Sequence, residues 1–330
     1  MGEDIRAGLK DVLRFLRRLE PGDHTEPFPP RLPDARIVNV DRRGEMFVRE
    51  IPAQEGAPTI VLLHGWTLSA DLNWFSGGYE VASRHGRVIA VDVRGHGRGL
   101  RSEQPFTLEA AADDVAALLG QLDATPAVLV GYSMGGSIAM LCAARHPEAV
   151  SGLVLASCAL QWRSDLYERV VWLGLGLAEY VLRFGAPSGI ADRYLRHAVE
   201  RSPDLEGYEG WVKAEARRSD ASDIGCAARE LARFDGQDLV GRIGCPASVV
   251  VTVRDNLIRG SRQHSLAKAL KAHTVEVDGH HNAWLVRAEE WAAALDEGIE
   301  AVTAASPAAH GDPVLRGEDR PLAEARAARG

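Results

Sequence analysis

Ala127-Val128-Leu129-Val130-Gly131-Tyr132-Ser133-Met134-Gly135-Gly136-Ser137-Ile138 is the stretch whose reading decides the fold of this 330-residue chain. Ala127 to Tyr132 is apolar at almost every position, the pattern of a strand covered on both faces. Ser137 to Arg145 continues as a helix. Between them lies Gly131-Tyr132-Ser133-Met134-Gly135, which fits G-x-S-x-G. In a chain with 33 glycines the five letters alone are weak evidence. The strand before and the helix after supply the context the motif needs, because a serine at a strained elbow tolerates no side chains pressing on it from two residues away. A serine that merely caps the following helix is the plainer alternative, and that context outweighs it.

Outward from the elbow, strands alternate with helices. Ile37 to Val40 and Met46 to Ile51 read as a leading hairpin around Arg43-Gly44. Thr59 to His64, Arg87 to Val93, Val150 to Ser157, Ala247 to Val253 and His273 to Val277 are short runs rich in Val, Ile and Leu. Helical patterns occupy Thr107 to Leu122, Ser261 to Lys271 and Trp284 to Val302. That order predicts an α/β fold with a mostly parallel, doubly wound sheet. The alternation breaks once, between Ser157 and Pro246, where helical patterns carry Trp162, Tyr167, Trp172, Tyr180, Phe184, Tyr194, Tyr208 and Trp211. We read residues 159–241 as a helical cap inserted into a core of residues 37–158 and 242–302.

The ends read differently from the body. Ile5, Leu9, Val12, Leu13, Leu16 and Leu19 have helical spacing among basic residues, so 1–36 is expected to hold an amphipathic helix and a Pro-rich linker through Pro27-Phe28-Pro29-Pro30. Residues 303–330, rich in Ala, Arg, Pro and Glu without periodicity, read as a disordered tail. No basic leader and apolar core open the chain, and Val170 to Leu182 is too short and is broken by Glu179, so the reading is a cytoplasmic protein with no transmembrane segment.

Composition narrows the partners. A net charge of −8 argues against nucleic acid, whose phosphates call for concentrated Lys and Arg. Cys142, Cys158, Cys226 and Cys245 are scattered, and no H-x-x-x-H or H-x-H spacing appears, so neither a metal nor a cofactor is expected. A 46% hydrophobic content suffices for a large core and an enclosed pocket suited to a small neutral molecule. A homo-oligomer is left open.

With these residues in place the chain resembles cap-bearing members of the α/β-hydrolase superfamily over residues 37 to 302. His64-Gly65-Trp66 after its strand is similar to the family's oxyanion loop, and Asp92-Val93-Arg94-Gly95-His96-Gly97 to its D-x-R-G-H-G turn. A serine hydroxyl needs a base, and the base a carboxylate that fixes its tautomer. Asp255, in Val253-Arg254-Asp255-Asn256-Leu257-Ile258 after a strand, resembles the family's acid turn. For the base, Asp278-Gly279-His280-His281-Asn282 offers two histidines at a strand end. The resemblance selects His281, about ten residues before the aromatic of Glu289-Glu290-Trp291, while the family's usual Gly-His pairing fits Gly279-His280.

The expected triad is therefore Ser133, Asp255 and His281. The backbone N–H of Met134 at a helix N-terminus forms one oxyanion donor, and by resemblance the N–H of Trp66 forms the other. The resemblance implies hydrolysis of a carboxylic ester through an acyl-enzyme, with water as second substrate. Cap aromatics, with Trp66, Trp74 and Trp284 near the expected pocket mouth, suggest an apolar pocket and a hydrophobic acyl or alcohol group, the plainer alternative being that the cap aromatics only pack the cap onto the body. Epoxide hydrolases and dehalogenases of the superfamily resemble one another in carrying aspartate at the elbow, so serine disfavours that chemistry. Thioesters, lactones, amides and β-diketone C–C bonds suit the same triad, as does a cofactor-free perhydrolase reaction. A non-catalytic binding protein on the same fold is the reading from a different class.

Overall fold

In the computed structural model, residues 29–162, 208–216 and 218–305 are described. The expected N-terminal helix, the Val170 to Leu182 stretch, most of the cap aromatics and the tail from residue 306 lie outside these residues.

Eight strands form one sheet: β1 (Asp34–Val40), β2 (Gly44–Ile51), β3 (Thr59–Leu63), β4 (Arg87–Val91), β5 (Ala127–Tyr132), β6 (Val150–Ala156), β7 (Ala247–Thr252) and β8 (His273–Val277), in the order β1-β2-β4-β3-β5-β6-β7-β8. The β1–β2 hairpin joins β4 antiparallel, and all remaining pairs are parallel. Burial explains the composition of each strand. β3 and β5, in the middle, are buried at every position, whereas the edge strands β1 and β8 are exposed along much of their length.

Alternation of side chains sends successive residues to opposite faces. Val61 and Leu63 pack with helices α3 (Leu108–Gln121), α4 (Met134–Arg145) and α7 (Gly260–Leu270). Ile60 and Leu62 pack on the other face with α2 (Gly78–His85) and α9 (Ala288–Ala305). The short helices α1 (Ala70–Trp74) and α8 (Ala283–Val286) cover loop ends. α1 and α2 are short, five and eight residues, and lie outside the helical stretches read from the sequence; Ser69 caps α1 by accepting from the Leu72 N–H at 3.2 Å. α4 starts at Met134 rather than Ser137, and the expected helix from Trp284 to Val302 is interrupted at Arg287, whose φ of −133° and ψ of 43° lie outside the helical range.

From residue 208 the described part of the inserted segment is mainly helical, with α5 (Glu209–Ala216), α6 (Ala221–Arg233) and a 3-10 turn at Gln237–Arg242, while Gln161 pairs with Asp235 in an isolated β-bridge. Its seat on the body is the turn after β4. Arg98 makes a two-pronged contact with buried Glu215 of α5, one prong Nη1–Oε2 at 2.8 Å and the other Nη2–Oε1. Gly95 O accepts from the Asp220 N–H at 2.9 Å, the Gly97 N–H donates to Ser219 Oγ at 3.1 Å, and Arg101 Nη2 donates to Arg218 O at 2.9 Å. Behind this seat, buried Asp71 is held by Arg49 at 2.9 and 2.8 Å and by the Tyr79 hydroxyl at 3.1 Å. Burial pushes the neighbouring Asp92 carboxyl up to about 6, although it accepts the Ala70 and Arg98 N–H groups.

The aromatic residues fall mainly into packing roles. Trp74, expected at a pocket mouth, is completely buried, with its ring 5.8 Å from that of Trp291. Trp284 and Trp211 belong to the same core. No helix of the described residues is long and apolar enough to cross a membrane.

Candidate active site

Five segments meet at the C-terminal ends of the parallel strands, the edge at which open α/β sheets place their ligands: those after β3, β4, β5, β7 and β8.

Ser133 sits between β5 and α4 with φ 54° and ψ −116°, a conformation costly for any residue with a Cβ. Its N–H donates to Ala156 O at 2.8 Å, which ties the elbow to β6. The flanking glycines are sterically required. A Cβ on Gly131 would lie 2.4 Å from Gly135 O, and one on Gly135 would lie 2.1 Å from Leu63 O. The backbone N–H of Met134 is the first of α4, where no intrahelical acceptor exists and the helix dipole favours negative charge.

Ser133 Oγ and His281 Nε2 are 3.0 Å apart, and His281 Nδ1 is 2.7 Å from Asp255 Oδ2. With the Nδ1 proton directed to the carboxylate, Nε2 is the acceptor facing the hydroxyl. Asp255 is held at both oxygens. Oδ1 accepts the N–H groups of Leu257 at 2.8 Å and Ile258 at 2.9 Å, while Oδ2 also accepts from the Thr252 hydroxyl at 3.0 Å and Gln263 Nε2 at 3.2 Å. Burial acts to raise the Asp255 carboxyl, but the charge and hydrogen bond of His281 and the two backbone N–H groups together hold it below the usual carboxylate range. His280 is exposed, with Nδ1 3.5 Å from Asn256 Nδ2.

The loop after β3 lies directly against the serine. A Cβ on Gly65 would stand 2.8 Å from the Tyr132 ring and 3.3 Å from Ser133 Cβ. The loop is fixed at both ends: the Gly65 N–H donates to Asn73 Oδ1 at 2.9 Å, and buried His64 bridges the Gly65 carbonyl (Nδ1, 2.8 Å) and the Val93 N–H (Nε2, 3.0 Å). Burial pushes His64 down to about 3, so it stays a neutral, bridging imidazole. Trp66 follows, its indole N–H donating to Ile224 O of α6 at 2.8 Å.

The sequence-predicted residues Ser133, Asp255 and His281 thus form one hydrogen-bonded line, flanked by Met134 and the Trp66 loop. Thr252, Gln263, Asn73 and Tyr132 were not singled out from sequence. The first three carry no motif, and Tyr132 occupies the variable position of G-x-S-x-G. A hydroxyl in line with an imidazole backed by a buried carboxylate can be made nucleophilic, with N–H groups available for a developing oxyanion.

A family model for the alpha/beta hydrolase fold matches residues 58–244, more than half of the chain. The chain belongs to the α/β-hydrolase family. Among its relatives is a pimeloyl-[acyl-carrier protein] methyl ester esterase of Neisseria meningitidis serogroup C, 31% identical over 248 residues, which are 74% of this chain and 94% of the relative. A non-heme chloroperoxidase of Streptomyces lividans is 41% identical over a shorter stretch, 34% of this chain and 40% of its own length. The enol-lactonase of Burkholderia xenovorans LB400 shares the fold at a TM-score of 0.66 and 21% identity, over 80% of this chain and 100% of that one. Placed among these relatives, the chain is a hydrolase of the α/β-hydrolase fold.

Proposed function

We propose that this hydrolase is a serine esterase in which Ser133, His281 and Asp255 form the catalytic triad. The observation that carries the reading is the unbroken line from Ser133 Oγ through His281 to Asp255, with steps of 3.0 and 2.7 Å. Ser133 Oγ attacks the ester carbonyl carbon as His281 Nε2 takes its proton. The tetrahedral oxyanion is met by the N–H groups of Met134 and Trp66, each donor contributing roughly 3–4 kcal/mol at the transition state. Collapse breaks the bond to the alcohol, which leaves with the proton from His281. Water, deprotonated by His281, then attacks the acyl-enzyme, releasing the acid and returning the proton to Ser133.

The substrate class is a small carboxylic ester with a hydrophobic part. The similarity to a methyl ester esterase over three-quarters of the chain supports it, as does a net charge that does not favour polyanions. The four unpaired cysteines are consistent with a cytoplasmic setting. A second reading, peroxide-dependent perhydrolysis on the same triad, is favoured by the likeness to the chloroperoxidase. Peroxide-dependent halogenation in the presence of acetate separates the two.

The experiment is labelling with a fluorophosphonate, followed by peptide mapping. The expected result is one adduct, on Ser133. Absence of an adduct from folded protein overturns the assignment of Ser133 as nucleophile. His281→Ala is expected to lower kcat on an activated ester by several orders of magnitude, with His280→Ala sparing most of it; the reverse pattern moves the base to His280.

A further inference from the structure

Tyr132 stands in the variable position of the elbow, immediately before the nucleophile, and its hydroxyl donates to the backbone carbonyl of His281, 149 residues away. It is a buried residue, 2% exposed. Its ring lies 5.4 Å from the His281 imidazole, tilted by 41°, and meets Trp284 and Trp291 edge-on, each at 6.3 Å. Gly65 of the loop after β3 also lies close against the ring. The phenol is therefore fixed by packing before it donates, and the acceptor it fixes is main chain. The adjacent His280, by contrast, turns its side chain to solvent.

We infer that Tyr132 is a positioning residue for the base. Its hydroxyl pins the His281 carbonyl, and so holds the segment after β8 in the orientation that delivers the His281 imidazole, rather than that of His280, to Ser133. The inference rests on the triad reading above. It adds a residue that acts through His281, and it gives a physical reason why the second of two adjacent histidines faces the nucleophile. Nucleophile and base are then held by neighbouring residues of one rigid turn, so displacement of the segment after β8 is resisted from the elbow itself.

The test is Tyr132→Phe, which keeps the ring and removes only the donor. Active sites are counted by fluorophosphonate titration, and kcat is expressed per titrated site, so any loss of folded protein is divided out. The expected result is kcat lower by roughly 10- to 100-fold with KM changed less than about twofold, the signature of a misplaced catalytic group. In a His281→Ala background the same substitution should leave the residual rate on an activated ester unchanged, because Tyr132 acts only through His281. An unchanged kcat per site in the single variant, or an equal additional loss in the His281→Ala background, overturns the inference. Failure of the triad reading is distinguishable, since it shows as a fully active His281→Ala protein whatever Tyr132→Phe does.

Discussion

Asp255 shows how much of the site is set by a single side chain. Five donors converge on its two oxygens, two of them backbone N–H groups from its own turn and three from Thr252, Gln263 and His281. Its carboxyl is held below the ordinary range in the folded protein despite burial that acts to raise it. A depressed native pKa contributes stability above the unfolded value of about 3.9, and that stability is lost as pH falls through the native value. Asp255→Asn should therefore be less stable than the parent in urea at neutral pH, with the gap shrinking below about pH 4. A gap that widens in acid contradicts the assignment. The same substitution should lower kcat by about 10⁴-fold, because an amide does not fix the required His281 tautomer.

Among the elements, the β5–α4 elbow packs backbone closely against backbone at both Gly131 and Gly135. Met134-Gly135-Gly136 contains two poor helix formers, so local propensity favours a helix from Ser137. In the fold α4 starts at Met134, since the glycines are what allow its first turn to lie against Leu63 and β5. Packing outweighs propensity there. One substitution type consequently has opposite effects at two sites. Gly135→Ala places a methyl 2.1 Å from the Leu63 carbonyl oxygen and is expected to cost at least about 3 kcal/mol, or to prevent folding. Gly120→Ala, near the end of α3 with open space around the new carbon, is expected to stabilise by roughly 0.4–1 kcal/mol. Urea unfolding of the two variants checks both signs. The break at Arg287 was equally invisible in sequence, because apolar residues continue at helical spacing across it. The outcome is that Trp284 and Trp291, on separate helices, both reach Tyr132.

At the scale of the molecule, the turn after β4 joins the inserted segment to the body. Its Asp-x-Arg-Gly-His-Gly pattern marked a family likeness; the structure gives it the further job of seating α5 and the start of α6. Glu215 is the buried anion of that seat, meeting Arg98 and, at 2.8 Å, Arg218. Glu215→Gln removes the anion while leaving Arg98 in place, and is expected to cost about 1–3 kcal/mol. It should also raise amide hydrogen exchange in Glu209–Ala216 well before exchange in β5 or β7. Uniform exchange across both regions would mean that the segment does not open separately from the body. Because the Trp66 indole also bonds Ile224, the seat and the loop after β3 touch the same segment.

By itself the sequence determined the order of the strands along the chain, the buried centre of the sheet and the chain order of the candidate residues Ser133, Asp255 and His281. These are written in local periodicity and in the short turns that follow strands, which a single chain carries in full. Its residues offered two histidines, between which only the family resemblance selected His281, and it gave no sign of the contacts made by Tyr132, Thr252, Gln263 or Asn73. Only the tertiary structure decided those, because they are contacts across long separations, such as the 148 positions between Ser133 and His281. They depend on which way a side chain or a carbonyl faces once the sheet has been assembled.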